Sequence, residues 1–255
     1  MTNNRVIDAR SLKESFDRDG YVFIPGFLEP NEVDEINAKL AVFIESGLPG
    51  MSPHHIFYED QKDPSTLKQL QDLHRTDPFF ESILSGSEFE RIASVLLDDE
   101  AIGKNLEYFN KPPRIGKPTP PHQDNYYFML NPPKAVTMWM ALEPVDEENG
   151  CVRYIRGSHL KGMRPHGRTQ TLGFSQGIVD YGEKEGLEDE VPFPASPGDL
   201  LIHHSMTIHR ADANRSEVRS RKALGFIYFG ASAVEDLEAK KTYQRQLEAE
   251  REASR

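Results

Sequence analysis

The chain has a single cysteine among its 255 residues, Cys151. One thiol excludes an internal disulfide and any zinc site built on several cysteines. Long apolar runs are missing as well: no stretch approaches the ~18 residues of a membrane-spanning helix. The opening MTNNRVIDAR lacks the apolar segment of a secretory signal, so a cytoplasmic location is expected. Positive charge is scarce, with 30 Lys and Arg against 41 Asp and Glu and a formal net charge of −11. Such a chain has little with which to replace counterions on a nucleic-acid backbone or to bind an anionic membrane. A small-molecule substrate remains as the expected partner. No internal repeat and no low-complexity segment is visible.

What is present suffices for a core: 37% hydrophobic and 28% charged residues exclude a disordered chain. The expected organisation is one domain over 1–255, with a mostly helical buttress at 1–100, strands at 101–230 and a charged helix at 234–255. Ser11 is placed to cap a helix that carries Leu12 and Phe16 and stops at Gly20, and Tyr21-Val-Phe-Ile-Pro25 reads as a short strand. Val33, Ile36, Leu40 and Phe43 fall on one helical face that ends near Gly47. PSTLKQLQDLHRTDPFFESILSG predicts helix broken near Pro78, and SEFERIASVLLDD predicts another. From residue 101, NLEYFN, HQDNYYFML, AVTMWMALEPV, CVRYIRG, GDLLIHHS and KALGFIYFG read as short strands punctuated by Gly150, Gly157 and Pro197-Gly198. Regular short strands of this kind predict a sandwich or barrel. The polar stretch from Lys161 to Val191 predicts a long loop.

Chemistry concentrates in two places. In PPHQDNYYF, His122 and Asp124 are two apart, which on a strand puts imidazole and carboxylate on one face. In GDLLIHHSMTIHR, three further histidines follow a buried strand, at 203, 204 and 209. Two imidazoles and one carboxylate on one face of iron form the facial triad of non-haem Fe(II) oxygenases, which leaves the opposite face open. A basic patch follows at Arg210, Arg215, Arg219, Arg221 and Lys222. Arg221 directly precedes the apolar strand and is better placed to point inward than Arg210 or Arg215. A buried guanidinium fork there would match a carboxylate, such as the distal one of 2-oxoglutarate.

These motifs, taken in order, resemble the phytanoyl-CoA dioxygenase family of Fe(II)/2-oxoglutarate-dependent oxygenases. The matching runs are Gly20-Tyr-Val-Phe-Ile-Pro-Gly26, His122-Gln-Asp124, Trp139-Met-Ala-Leu-Glu143, Asn149-Gly-Cys-Val152, Arg156-Gly-Ser-His159, Pro197-Gly-Asp199, His209, Asn214-Arg-Ser216 and Arg221-Lys-Ala223. The resemblance implies a mainly β fold with flanking helices, the cupin-like double-stranded β-helix or jelly-roll. It implies Fe(II) on His122, Asp124 and His209, with His204 a non-ligating histidine. It implies 2-oxoglutarate on Arg221, beside Trp139, with Thr119 and Asn105 at positions that contact the cosubstrate in relatives. Dioxygen completes the set, and retention of Asp124 favours hydroxylation over halogenation. Two departures stand out. Ala211 replaces the Ser or Thr that relatives carry two residues after the distal histidine. The step from His209 to Arg221 is one residue longer than expected, which keeps Arg219 as a second candidate.

Asn125, Tyr126, Arg156 and His159 are the expected substrate-binding residues, and their polarity leans toward a small hydrophilic substrate. Parity with Asp124 turns Tyr126 inward. His54-His55 is a surface pair or part of a lid. The alternative function is a non-enzymatic cupin-like protein that holds a metal or a small acid.

Overall fold

The computed structural model describes residues 8–171, 174–183, 187–243 and 245. The chain begins with α1 (Ala9–Asp19), β1 (Tyr21–Ile24) and α2 (Pro30–Val42), followed by β2 (Ile56–Tyr58), β3 (Leu67–Leu70), α3 (Pro78–Leu84) and α4 (Glu88–Leu97). Next come β4 (Ala101–Lys111), β5 (Thr119–His122), the one-turn α5 (Asn125–Phe128), β6 (Leu130–Asn131), β7 (Ala135–Ala141), β8 (Val152–Ile155), β9 (His166–Thr171) and β10 (Phe174–Ile178). The remaining strands are β11 (Glu190–Phe193), β12 (Leu200–His204), β13 (His209–Ala211), β14 (Arg221–Gly230) and β15 (Val234–Glu235).

An antiparallel seven-stranded sheet in the order β1-β12-β7-β14-β4-β3-β2 faces a four-stranded sheet in the order β11-β8-β13-β5. The double-stranded β-helix is therefore present, with helices on the outer face of the larger sheet. Strand alternation divides the larger sheet into two faces. Leu106, Tyr108, Val136, Met138, Met140, Leu200, Ile202, Leu224 and Phe226 join one core with Phe16, Ile36, Leu40, Phe89 and Ile92 from the helices. The intervening residues, among them Trp139, Ala141, Leu201 and Ala223, pack toward the smaller sheet with Val152 and Tyr154. Each large apolar side chain so buried contributes roughly 1.5–3 kcal/mol.

The first hundred residues differ from the sequence expectation. The 67–70 segment, read as helix, is strand β3, and every one of its residues is buried. Leu, Lys and Gln are good helix formers, but pairing with β2 and β4 satisfies a buried backbone and overrides propensity. Strand β1 likewise joins the large sheet, pairing Tyr21 with His203. Helix α1 is capped by Asp8, which accepts from the backbone of Arg10 and Ser11, rather than by Ser11. Gly20 ends it at φ +84°, where an added Cβ would lie 2.4 Å from His159 Nδ1. The expected long loop contains the β9–β10 hairpin, while 172–173 and 184–186 lie outside the described residues. At the C-terminus β15 precedes a helix at residues 237–243, and the expected charged helix beyond 245 lies outside the described residues. No helix among the described residues is long and apolar enough to cross a membrane.

Candidate metal centre and cosubstrate pocket

His122 is the last residue of β5 and His209 the first of β13, and the two are paired across that ladder. Asp124 reaches the same point by a different route from the one its spacing suggested. The strand ends at His122, and Asp124 has helical dihedrals (φ −61°, ψ −33°) as the chain turns into α5. Asp124 Oδ1 lies 3.3 Å from His122 Nε2 and 3.5 Å from His209 Nε2. Among the described residues these three form the one cluster able to hold a metal, their ligand atoms all within 4.8 Å of one another. Bonds of about 2.1 Å at right angles would put neighbouring ligand atoms about 3 Å apart, so the set fits a divalent ion on one face.

The surrounding hydrogen bonds orient each ligand. His122 Nδ1 is 2.8 Å from the Pro120 carbonyl and His209 Nδ1 3.0 Å from that of Thr207. Each Nδ1 therefore carries the proton and each Nε2 lone pair faces the centre. Thr137 Oγ1 donates to Asp124 Oδ2 at 2.6 Å, and His203 Nε2 donates to the same oxygen at 3.0 Å. Tyr154 OH in turn lies 2.9 Å from His203 Nδ1. Burial raises the Asp124 carboxyl, but His209, His122 and His203 outweigh it and hold it well below the usual carboxylate range. Burial, with His203 and His122 nearby, pushes His209 well below the usual imidazole value, which keeps it neutral and able to ligate. Thr137, Tyr154 and the role of His203 escaped the sequence reading. Parity was the available signal: Thr137 shares a face with Trp139, and His203 with Leu201, whereas His204 points to the helices, 6.0 Å from Phe16.

A cavity of about 360 Å³ opens from this centre, lined by Thr119, Asn105, Trp139, Ala211 and Arg221 among others. Arg221 is 4% exposed, its guanidinium lies 5.2 Å from the Trp139 ring, and its Nε has no partner among the described residues. Burial lowers it to about 10. A buried, unpaired guanidinium is costly unless an anion joins it. Arg219 turns away to bind Asp146 at 2.8 Å on the surface. Thr119 faces Ala211 directly across the β5–β13 ladder.

The expected substrate residues are not brought together here. Asn125 is buried and ties its own turn, donating to the Leu130 carbonyl. Tyr126 stacks on His166 at 4.2 Å, while its neighbour Tyr127 lines the cavity. Strand parity failed because the chain is helical there. Arg156 is exposed beside Tyr21, and His159 Nε2 lies 3.1 Å from the Asp17 carbonyl behind α1. Neither they nor His54-His55 line the cavity. It is instead walled by Tyr127, Phe128, Ile227 and Phe229, together with Asn105 and Glu107.

Known proteins are similar in sequence and fold. Phytanoyl-CoA dioxygenase 1 of Oryza sativa subsp. japonica is 28% identical over 243 residues, 82% of this chain and 84% of that protein. The peroxisomal phytanoyl-CoA dioxygenase of Mus musculus is 31% identical over 149 residues, covering 55% of this chain and 43% of that protein. Among solved structures, the non-haem α-ketoglutarate-dependent carbocyclase SnoK of nogalamycin biosynthesis superposes with a TM-score of 0.71 at 27% identity, covering 89% of this chain and 85% of that one. EctD of S. alaskensis, solved with 2-oxoglutarate and 5-hydroxyectoine, shares the fold with a TM-score of 0.72 at 19% identity, over 91% of this chain and 79% of that one. The family model for phytanoyl-CoA dioxygenase (PhyH) matches residues 16–223. The chain belongs to the phytanoyl-CoA dioxygenase family.

Proposed function

We propose that this 2-oxoglutarate-dependent oxygenase hydroxylates a small organic substrate, with Fe(II) held by His122, Asp124 and His209. The observation that carries the reading is the converged triad with both Nδ1 atoms tied to backbone carbonyls. Fe(II), with 2-oxoglutarate and dioxygen, supplies an oxidation in which the oxo acid becomes succinate and CO2 and one oxygen atom enters a substrate C–H bond. Asp124 supplies the negative ligand, and Thr137 and His203 keep its second oxygen turned away from the metal. Arg221 takes the distal carboxylate of 2-oxoglutarate, with the Trp139 ring beneath it. Thr119, opposite Ala211, supplies the hydroxyl that position 211 lacks. Asn105, by contrast, is committed to the wall: it accepts from the Asp72 backbone at 2.9 Å and donates to Glu107 at 2.7 Å.

Succinate release from 2-oxoglutarate, measured with and without Fe(II), separates this reading from a non-enzymatic binding protein. Arg221→Ala should raise the 2-oxoglutarate concentration required by about thirtyfold or more, since it removes a charge-assisted pair. Arg219→Ala should leave it unchanged. The opposite pattern would displace Arg221 from its role.

A further inference from the structure

The cavity wall formed by β3 and β4 carries polar groups that the triad and the cosubstrate do not use. Glu107 is 6% exposed, and its carboxylate accepts from Gln69 Nε2 at 3.1 Å and from Asn105 Nδ2 at 2.7 Å. Gln69 is 3% exposed, and its Oε1 has no partner among the described residues. No cation among the described residues pairs with Glu107. Of the cations that line the same cavity, Lys68 lies 3.5 Å from Glu59, Lys104 3.9 Å from Glu235, Arg210 2.6 Å from Glu190, and Lys111 donates to two backbone carbonyls, while Arg221 stands beside Trp139. Burial, with Asp124 and Asp72 adding to it, raises the Glu107 carboxyl to about 8.

Position decides what this wall can meet. In the register of the large sheet, Glu107 lies across Gly225 from Trp139, and Asn105 across Ile227 from Thr137. Strands are spaced about 4.8 Å apart, so β4 stands about 10 Å from β7, which carries the contact to Asp124. The line from the metal centre to Arg221 runs over Trp139. Gly225, Ile227 and Glu107 all line the cavity, and the Phe109 ring covers Gly225, so the room beside that line lies over Ile227, toward Glu107. Tyr127, Phe128 and Phe229 line the same cavity.

We propose that Glu107 and the Gln69 carbonyl form a specificity subsite that anchors a protonated amine of the substrate, with the carbon to be oxidised held between it and the metal. A buried carboxyl with no cationic partner among the described residues, beside an amide oxygen with no donor among them, is completed by a group that brings both hydrogens and positive charge. The Phe109 ring, which pairs with Gln69 across the ladder and lies over Gly225, stands beside it and suits the same cation. This inference rests on the proposed oxygenase function.

The test uses the intact protein loaded with Fe(II) and 2-oxoglutarate without oxygen. The chain's one tryptophan, Trp139, lines the cavity and reports binding by fluorescence. The probes are n-butylamine, n-butanol and butyrate, which share a skeleton and differ in the head group. The amine should bind about tenfold or more tighter than the other two. Glu107→Gln should erase that preference, and Gln69→Leu, which keeps the carboxyl, should weaken the amine alone. Equal affinities in the unmodified protein, or an undiminished preference in both folded variants, would overturn the subsite. So would displacement of 2-oxoglutarate by the amine, seen as loss of the visible metal–cosubstrate absorption. If that absorption never forms, the oxygenase reading fails and the subsite with it; if it forms and the probes are not told apart, only the subsite fails.

Discussion

The two faces of the large sheet are built from the same strands and do opposite work. On the helix side, Leu106, Tyr108, Met138, Met140, Leu224 and Phe226 are almost wholly buried among apolar neighbours. On the cavity side, one residue away in each strand, stand Asn105, Glu107, Thr137, Trp139 and Gly225. The first face gains stability from area removed from water. The second buries polar and charged groups whose desolvation has to be met by hydrogen bonds, a metal or ligands. Adjacent residues thus differ in what their loss should cost, one in folding and the other in chemistry.

The sharpest break of that comparison is Asp124→Ala. Iron binding, measured by metal analysis of protein prepared without air, should vanish, and succinate formation with it. Thermal unfolding of the metal-free protein should shift far less than for a change on the helix face. Phe226→Ala is the matching change there. Phe226 is fully buried and stacks on Phe89 with centroids 4.1 Å apart. Truncation should cost about 3–5 kcal/mol in urea unfolding and leave the iron affinity of the folded protein intact.

How far each face could be read in advance follows from the same difference. The apolar core was legible, because Val33, Ile36 and Leu40 announce burial by their period and Leu200-Leu-Ile202 by an unbroken apolar run. His122, Asp124 and His209 were legible as chemistry because they belong to motifs in fixed order. Residues placed by a change of backbone state were not. Asp124 and Tyr127 owe their directions to the turn into α5, and strand parity pointed instead to Tyr126. Strand β3 was hidden because a four-residue buried strand carries no periodicity of its own. Arg156 and His159 share a motif with relatives, yet the fold directs them to the far side of β8, by α1. The polar wall of Gln69, Asn105 and Glu107 is assembled from two strands, and nothing local in either announces it.

His204 tests the helix face by pH. Its Nδ1 accepts from the Met206 backbone, and its ring lies against Phe16 and His159. Burial, with His159 and His203 adding to it, lowers it from 6.5 to about 4. Above pH 6.5 it is neutral whether folded or unfolded and contributes no pH dependence. Below that, the unfolded chain takes up a proton that the folded protein refuses. Stability should therefore fall as the pH drops from 6.5 toward 4. The loss from this residue alone should approach about 3 kcal/mol. Urea midpoints at several pH values, with His204→Gln as the reference, isolate the slope.

The smallest effect lies on the cavity face, at Thr137. Its hydroxyl is the shorter of the two donors to Asp124 Oδ2, at 2.6 Å against 3.0 Å from His203. Thr137→Val keeps the volume and the β-branching, so the strand and its pairing with β12 and β14 should be undisturbed. Only the orientation of the carboxylate is loosened. Groups that hold a ligand from behind are typically worth about 10–100-fold in metal affinity, and His203 remains to share the task here. A drop in Fe(II) affinity near the lower end is therefore expected, measured by competition with a chelator, with urea unfolding of the metal-free protein nearly unchanged. An equal loss in both measurements would mean that Thr137 serves the packing of the sheet, and that the division of labour between its faces is less complete than the alternation suggests.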